Sequence, residues 1–254
     1  MKIIAELSCN HSGSLDQAVA LVEAAAQAGA DAIKLQTWTP GSMVLDPDYV
    51  LRAGPWVGRN LAQLYEQAHT PWEWHTSLFN KAKALGIEAF STVFDLEALD
   101  FLESIGCQAY KIASFELTDL RLIRNVAGTR KPLILSTGMA LRQEIENAVC
   151  EARNAGASDL TLLKCTSAYP ADAAQANLAT IWHMRQAFGC AAGLSDHTKG
   201  IGVPIAAAAL GASMVEKHLR LDGAESLDRE FSLTPGEFAE MVKGCRQAER
   251  SFGE

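Results

Sequence analysis

Short runs with the alternating apolar and polar residues of β-strands recur along the chain, separated by segments with helical spacing. In a helical segment such as 14–30, apolar residues recur three and four positions apart until Gly29 ends the pattern. The sequence therefore predicts a strand and then a helix, repeated about eight times. The predicted strands are residues 2–8, 32–37, 87–92, 109–114, 132–137, 160–166, 191–197 and 213–219.

This number of repeats within 254 residues is typical of a (β/α)8 barrel, the α/β fold also called a TIM barrel. The alternative is an open, doubly wound sheet. That fold more often carries a glycine-rich phosphate loop after its first strand, and the sequence SCNHSGS at 8–14 is not such a loop. We therefore expect one TIM-barrel domain over residues 1–254.

Two irregular segments interrupt the alternation of strand and helix. The connection 38–69 is long, and its tryptophans, glycines and prolines indicate an ordered excursion over the barrel mouth. A short helix is predicted within it, near 60–68. The stretch 220–232 follows the last strand and precedes a closing helix at 234–252.

The helical segment 70–86 carries start and stop signals. Thr70 is of a residue type that often caps a helix N-terminus, and Pro71 follows at the first predicted helical position. Gly86 is suited to end the helix, because glycine is the residue most often found just past a helix C-terminus. We expect the helix to extend from Pro71 to the residue before Gly86.

The formal net charge of -8 at pH 7 narrows the classes of partner. Nucleic acids are not expected, because binding them needs a basic face. An anionic substrate must therefore be bound by locally placed lysine or arginine. The six cysteines are scattered and form no C-x-x-C pair, which favours reduced thiols and a cytoplasmic location. A membrane span is not expected either, since no apolar run reaches the roughly 18 residues required.

Two lysines lie within apolar strands. In a (β/α)8 barrel the chemistry takes place at the carboxyl ends of the strands. Lys34 in AIKLQT and Lys111 in AYKIAS lie in the second half of their strands. A buried ammonium group needs an anionic partner. The sequence therefore favours a phosphate-binding role for both lysines, and the alternative is a salt bridge to a carboxylate at a strand end.

Two histidines end the last two predicted strands, His197 in GLSDHTKG and His218 in MVEKHLRL. Neighbouring strands place their ends about 5 Å apart, so the two imidazoles can bind one cation. Two nitrogen ligands leave coordination positions open, which suits a catalytic ion rather than a closed structural site. Ordinary hydrogen bonding at the strand ends is the alternative interpretation.

A set of motifs distributed over the whole chain is informative when taken together. The motifs are IIAELSCNHSGSL, DAIKLQT, AYKIASFELTDL, KPLILSTGMA, LLKCTSAYP, GLSDHTKGIGVPIAAAALGAS and VEKHL. In this order they resemble the sialic acid synthase family, and the resemblance extends from residue 2 to about residue 252. Within the family, AELS, TPWEWH, ASFELTD and KCTSAYP are most similar to the pseudaminic acid synthases.

The resemblance implies a TIM-barrel transferase that condenses phosphoenolpyruvate with an open-chain acetamido sugar. The product is a nine-carbon 2-keto sugar acid, and phosphate leaves by cleavage of its C–O bond. The resemblance also implies a divalent cation, Mn²⁺ or Mg²⁺, held by His197 and His218 as a Lewis acid. Family members are homodimers, so we expect a homodimer here.

The resemblance further implies roles for individual residues. Glu6 would be the base for the water that adds to the intermediate, and Glu216 would orient water or a histidine ligand. Lys34 and Lys111 match the phosphoenolpyruvate-binding lysines of the family. Hydroxyl donors to the phosphate and carboxylate would be Ser91, Thr92, Ser114, Ser167 and Ser195. Contacts to the sugar would come from Gln36, Tyr169 and Asp228.

The chain departs from the family pattern in two respects. Family members commonly carry a small C-terminal antifreeze-like domain, and we expect a form that lacks it. Asp228 lies in the sequence SLDRE, where the family usually has Gly-Pro-Asp. Alternative functions are an N-acetylneuraminic or legionaminic acid synthase, a non-catalytic barrel that has lost its cap domain, and a metal-dependent aldolase that works without phosphoenolpyruvate.

Overall fold

The structure, a computed structural model, describes residues 1–251. Its parallel strands form a closed barrel, in which each strand pairs with the next along the chain and the last pairs with the first. The predicted (β/α)8 barrel is confirmed, and the doubly wound sheet is excluded. The strands are β1 (Lys2–Glu6), β2 (Ala32–Thr37), β3 (Glu88–Val93), β4 (Tyr110–Ile112), β5 (Leu133–Ser136), β6 (Leu160–Cys165), β7 (Ala191–Asp196) and β8 (Met214–His218).

Helices follow the strands and cover the outside of the barrel. They are α1 (Leu15–Gln27), α2 (Leu61–Ala68), α3 (His75–Ala84), α4 (Leu96–Ser104), α5 (Leu120–Gly128), α6 (Arg142–Asn154), α7 (Ala179–Phe188), α8 (Gly202–Ala209) and α9 (Pro235–Ser251). Short 3₁₀ turns lie at Pro40–Ser42, Trp72–Trp74, Ala173–Gln175 and Arg229–Phe231. Helix α2 lies in the long connection after β2. Of the helices in residues 1–251, none is both long and apolar enough to cross a membrane.

The alternation of residues along the strands separates the barrel interior from the helix layer. Ile3 of β1 and Ile33 of β2 are fully buried in an apolar cluster with residues of α1, α3 and α9. Burial of such side chains between sheet and helices is the main stabilising contribution to the fold. Because successive side chains of a strand point to opposite faces, Glu6 and Lys34 point into the barrel.

Several helices begin at side-chain caps that the sequence supplies. The Asp95 carboxylate accepts a hydrogen bond from the backbone N–H of Ala98 at 2.7 Å, at the start of α4. Asn60 accepts one from the backbone N–H of Gln63 at 2.9 Å, at the start of α2. Each bond satisfies a backbone donor that has no partner within the helix. The short helix predicted near 60–68 is therefore confirmed.

The helix predicted within 70–86 begins later than expected. Pro71 has an extended backbone, a 3₁₀ turn follows it, and α3 begins only after that turn. Thr70 does not cap the helix, because its hydroxyl group lies 3.1 Å from His11 Nε2 and connects to the loop after β1. Gly86 lies just past the helix with φ = +77° and ends it as predicted.

The two irregular segments meet above the carboxyl ends of the strands. In the connection 38–69, Trp56 Nε1 donates a hydrogen bond to the carbonyl oxygen of Leu227 at 3.1 Å, which joins this connection to the segment 220–232. The ordered excursion over the barrel mouth is thus confirmed. The closing helix predicted for 234–252 is α9, and residue 252 lies outside the described residues.

Candidate active site

A cavity of about 380 Å³ lies at the carboxyl ends of the strands. All but one of the site residues predicted from the sequence line it. They are Glu6, Lys34, Gln36, Thr92, Lys111, Ser114, Ser167, Tyr169, Ser195, His197, Glu216, His218 and Asp228. Side chains from all parts of the chain therefore converge on one place, which is the location of active sites in TIM-barrel enzymes.

Ser91 is the exception, and its predicted role as a hydroxyl donor in the site is not supported. Its hydroxyl group lies 2.6 Å from Thr37 Oγ1, which in turn lies 2.8 Å from His75 Nε2. These residues belong to the layer between β3 and the outer helices. The cause is the strand period of two: because Thr92 points into the barrel, its neighbour Ser91 must point outward.

The two lysines of the site are paired with internal carboxylates. Lys34 forms an ion pair with Glu6, and Lys111 Nζ lies 2.5 Å from Glu216 Oε1. Lys34 Nζ also lies 4.0 Å from Glu216 Oε1. The salt bridges considered as an alternative to phosphate binding are therefore present, but the four side chains also border the open cavity. The two interpretations do not exclude each other, because an incoming anion can compete for the ammonium groups.

The charges of this group are strongly coupled. Burial raises the pKa of Glu216, but the ammonium groups of Lys111 and Lys34 outweigh it and lower the pKa to about 2. Burial also lowers the pKa of Lys34, and here the carboxylates of Glu216 and Glu6 outweigh it, so that the pKa is raised. Lys34 and Glu216 are therefore both charged at neutral pH.

Hydrogen bonds hold the charged side chains in place. Lys34 Nζ donates to Thr92 Oγ1 at 2.8 Å. Ser195 Oγ donates to Glu216 Oε1 at 3.1 Å, whereas Glu216 Oε2 is buried and has no hydrogen-bond partner. A charged oxygen with free acceptor capacity beside a cavity is suited to a water molecule or a substrate hydroxyl group.

Small residues at and just after the ends of β4, β5 and β6 form a hydroxyl-rich cradle in the cavity. Gly138 N donates to Ser114 Oγ at 2.9 Å, and Ser114 Oγ donates to Ser136 Oγ at 3.0 Å. Ser167 Oγ is buried without a hydrogen-bond partner. A Cβ atom on Gly138 would lie 2.3 Å from Ser167 Oγ, so any larger residue there would displace the side chains of the cradle. The sequence reasoning missed Gly138, although the motif KPLILSTGMA contains it.

The two predicted metal-binding histidines lie side by side. The ring centroids of His197 and His218 are 5.4 Å apart. His197 Nδ1 lies 3.1 Å from the carbonyl oxygen of Thr166, so its Nε2 is the nitrogen left for a ligand. His218 Nδ1 lies 3.3 Å from Asp228 Oδ2. The two atoms lack hydrogen-bond geometry, so the buried nitrogen has no hydrogen-bond partner. Within residues 1–251, no group of three or more His, Cys, Asp and Glu side chains is arranged to hold a metal ion.

Aromatic side chains form the wall around the histidines. The rings of Tyr169 and His197 have centroids 4.4 Å apart, and those of Phe231 and His218 are 4.9 Å apart. Burial raises the pKa of Tyr169, which keeps its phenol protonated and able to donate a hydrogen bond. Other lining residues that the sequence reasoning did not identify include Trp56, Tyr65 and Phe231.

The closed barrel and its polar cavity define a TIM-barrel protein with its candidate site in the position that enzymes of this fold use. A sequence model of the NeuB family matches residues 21–254. The chain belongs to the NeuB family.

Known proteins are similar to this chain over nearly its whole length. Pseudaminic acid synthase from Campylobacter jejuni subsp. jejuni serotype O:23/36 (strain 81-176) is 46% identical over 99% of this chain and 75% of its own length. Pseudaminic acid synthase from Helicobacter pylori (strain ATCC 700392 / 26695) is 44% identical over 100% of this chain and 76% of its own length.

Among solved structures, the N-acetylneuraminic acid (sialic acid) synthetase from Leptospira borgpetersenii serovar Hardjo-bovis, in complex with citrate, superimposes with a TM-score of 0.91. It is 31% identical, and the match covers 99% of this chain and 85% of that one. The family resemblance inferred from the motifs is therefore confirmed by sequence and by structure.

Proposed function

We propose that the protein condenses phosphoenolpyruvate with an acetamido hexose to form a nine-carbon 2-keto sugar acid of the pseudaminic acid type. The observation that carries the proposal is one cavity that combines two lysines, a hydroxyl-rich cradle and two adjacent histidines. The similarity to proteins named pseudaminic acid synthase, at 44% and 46% identity, favours this product over N-acetylneuraminic acid. The sialic acid synthetase structure is 31% identical.

The lysine side of the cavity is suited to phosphoenolpyruvate. Lys34 and Lys111 supply two ammonium groups, and Ser114 and Ser167 supply hydroxyl groups for the phosphate or the carboxylate. Binding an anion here requires it to compete with Glu6 and Glu216 for the ammonium groups. Because phosphate leaves by cleavage of a C–O bond, the lysines need only hold the leaving group and its charge.

Glu6 is the carboxylate that we assign as the base. In the proposed reaction, C3 of phosphoenolpyruvate bonds to the aldehyde carbon of the sugar, and the aldehyde oxygen takes a proton from solvent water to become a hydroxyl group. Positive charge at C2 is then quenched by water, and a carboxylate accepts the proton that the water loses. Glu6 is held by a hydrogen bond of 3.0 Å from the backbone N–H of Ser8. Collapse of the C2 adduct expels phosphate and leaves the ketone.

The histidine side of the cavity fits a divalent cation with an incomplete set of protein ligands. His197 and His218 both border the cavity, and His218 Nδ1 is a buried nitrogen without a hydrogen-bond partner. The two histidines would hold Mn²⁺ or Mg²⁺ and leave coordination positions for water and substrate. Such an ion supplies Lewis acidity toward the aldehyde oxygen. Both histidines are packed against aromatic rings, which fixes their orientation.

The sugar side of the cavity would be formed by Gln36, Tyr169 and Asp228, all of which line it. Tyr169 contributes a protonated phenol and Asp228 a carboxylate. Together with the amide of Gln36, they offer both donors and acceptors to hydroxyl and amide groups.

The test is to incubate the protein with phosphoenolpyruvate, Mn²⁺ and each candidate acetamido hexose in H₂¹⁸O. We expect a keto acid with the mass of the sugar plus pyruvate, with the ¹⁸O label in the keto acid and not in the released phosphate. Samples with a chelator are the control. Phosphoenolpyruvate binding without turnover of any sugar would instead favour a non-catalytic barrel. Turnover without phosphoenolpyruvate would indicate an aldolase.

We further propose that the protein forms the homodimer that the resemblance implies. Light scattering coupled to size-exclusion chromatography should give about twice the chain mass of 27.3 kDa. A mass equal to that of one chain would contradict this proposal and leave the proposed reaction unaffected.

A further inference from the structure

A second, smaller cavity adjoins the candidate active site. It has a volume of about 220 Å³, and its lining includes Cys9, Trp56, Tyr65 and Asp228, which also line the main cavity. Its remaining walls are apolar: Leu51, Leu61, Leu64, Ala68 and Leu227. We name these five residues and the space between them the apolar subsite.

The apolar subsite is formed by one face of a helix. Leu61, Leu64 and Ala68 recur three and four positions apart on α2, so they share a face. In most proteins such a face is filled by packed side chains, and voids much larger than one water molecule are rare. Here the face borders a space several times the roughly 30 Å³ that a water molecule takes up in the liquid. Leucine and alanine walls of this extent favour an apolar group over water.

The walls of the apolar subsite are held by hydrogen bonds. Trp56 Nε1 donates to the carbonyl oxygen of Leu227 at 3.1 Å, which joins two segments that both line the subsite. The backbone N–H of Gly58 donates to the carbonyl oxygen of Leu51 at 2.8 Å. Asn60 caps the first turn of α2. The subsite is therefore a defined pocket with fixed walls.

The boundary between the two cavities is polar. Asp228 lies there with its side chain buried, close to His218. Its carboxylate is an acceptor suited to an amide N–H group. A group that reached from the main cavity into the subsite would thus meet an acceptor first and leucine side chains beyond it. An acetamido substituent places an N–H group nearest the sugar ring, then a carbonyl group, and a methyl group at its end.

We propose that the apolar subsite binds the methyl end of an acetamido group of the sugar, while Asp228 accepts the hydrogen bond of its N–H group. This inference rests on the proposed function. It makes the connection 38–69 and Leu227 the determinants of which acetamido sugars are used. A sugar with a hydroxyl group in place of that acetamido group loses the buried methyl group, although its O–H group can still donate to Asp228. We expect its kcat/KM to be about 10- to 200-fold lower.

The first experiment fills the pocket. Ala68→Leu adds a branched side chain to the subsite, and Ala62→Leu, on the same helix but outside the pocket lining, is the matched control. We expect Ala68→Leu to raise the KM for a diacetamido hexose about tenfold or more, with the KM for phosphoenolpyruvate unchanged. Ala62→Leu should leave both values at the wild-type level. Equal KM values in wild type and Ala68→Leu would overturn the proposal.

The second experiment enlarges the pocket, and its outcome does not depend on whether Ala68→Leu folds. Leu51→Ala should increase turnover of a sugar whose acetyl group is replaced by a propionyl group, relative to the acetyl sugar. No change in this ratio would contradict the proposal.

A third measurement separates failure of the subsite from failure of the proposed reaction. Saturation-transfer NMR with a diacetamido hexose reports contact between its methyl groups and the protein without any turnover. We expect one methyl signal to be lost in Ala68→Leu and retained in Ala62→Leu. Turnover with no loss of signal would overturn the subsite alone. Loss of signal without turnover in any sample would overturn the proposed reaction alone.

Discussion

Within residues 1–251, lysine and carboxylate side chains form two buried groups, which differ in how completely the carboxylate oxygens accept hydrogen bonds. Behind β7 and β8, Lys217 Nζ lies 2.6 Å from Asp196 Oδ2 and also donates to the carbonyl oxygen of Thr198. Asp196 accepts two further bonds from Thr198, at 3.1 Å from its N–H and 3.0 Å from its hydroxyl group. Inside the barrel, in contrast, Glu216 keeps an oxygen without a hydrogen-bond partner beside the cavity.

The difference shows that a lysine within an apolar strand does not by itself mark a substrate site. Lys217 lies directly between Glu216 and His218, but strand alternation points it toward the helix layer, where Asp196 and the carbonyl oxygen of Thr198 accept its hydrogen bonds. A site for a ligand needs both free hydrogen-bonding capacity and open volume. The group that includes Lys34 and Lys111 has both, and the Asp196–Lys217 pair has neither.

The largest effect is expected on stability, when the Asp196–Lys217 pair is broken. Lys217→Met leaves the Asp196 carboxylate buried and unpaired, which should lower the free energy of unfolding by about 3–5 kcal/mol. Denaturant titration measures this. Lys199→Met removes an exposed ion pair with Glu230 (N–O distance 3.1 Å) and should cost less than about 1 kcal/mol. Similar losses in both variants would remove the distinction between the two lysine groups.

Removing a lysine from the group inside the barrel, where Glu216 keeps a free oxygen, should affect the reaction rather than the fold. Lys111→Met removes an ammonium group that faces the cavity, and we expect kcat/KM to fall about 100- to 1,000-fold. The midpoint of thermal unfolding should stay close to wild type. Glu216 Oε1 still has Lys34 Nζ 4.0 Å away, and the carboxylate borders the cavity, where water can hydrate it. Phosphate release assays measure kcat/KM, and thermal melts measure the midpoint of unfolding. Lys131→Met, on the outside of the barrel, is the control, and a Lys111→Met enzyme with wild-type rates would refute the assignment.

A smaller change tests the hydroxyl cradle. The Cβ atom of Gly138→Ala would lie 2.3 Å from Ser167 Oγ, so the Ser167 hydroxyl group must move by about 1 Å to reach an ordinary contact distance. We expect the KM for phosphoenolpyruvate to rise about tenfold, because misplacement of binding groups by about 1 Å can cost up to 100-fold in rate. Gly128→Ala introduces a Cβ with no heavy atom within 4 Å and should leave the KM unchanged. An unaltered KM in Gly138→Ala would exclude the cradle from substrate binding.

The smallest effect concerns a carboxyl group that has no lysine partner. Burial raises the pKa of Glu116 to about 7. An acid whose pKa is raised in the folded state stabilises the protein below its ordinary pKa of about 4.5, and that contribution is lost as the pH rises through 7. Glu116→Gln should therefore be more stable than wild type at pH 8, with little difference at pH 4.5. Glu146→Gln, an exposed change, is the control for denaturant titrations at both pH values.

Much of the fold follows from the periodicity of the chain. The strand segments were identified because parallel strands with both faces covered form short apolar runs between helical segments. The same alternation explains the error at Ser91: both Ser91 and Thr92 were assigned to the site, although only one of two neighbours in a strand can point inward. The predicted Thr70 cap was wrong because its hydroxyl group binds His11, a contact that only the folded chain creates.

The walls of the site were less predictable than its centre. Glu6, Lys34 and His218 end up together because the barrel brings strand ends together, which can be inferred from the order of the elements. Trp56 and Phe231 reach the cavity from irregular segments whose paths depend on tertiary contacts. Their sequence shows that these segments are ordered, but not where each ring points.

The position of the connection 38–69 has a consequence for how such proteins diverge. It is one continuous segment between β2 and α3. It contributes Trp56 and Tyr65 to the wall of the main cavity and four of the five residues of the apolar subsite. The strands carry the lysines and histidines independently of it. Grafting this insert from one relative onto the barrel of another should therefore change which acetamido substituent is accepted and leave the handling of phosphate intact.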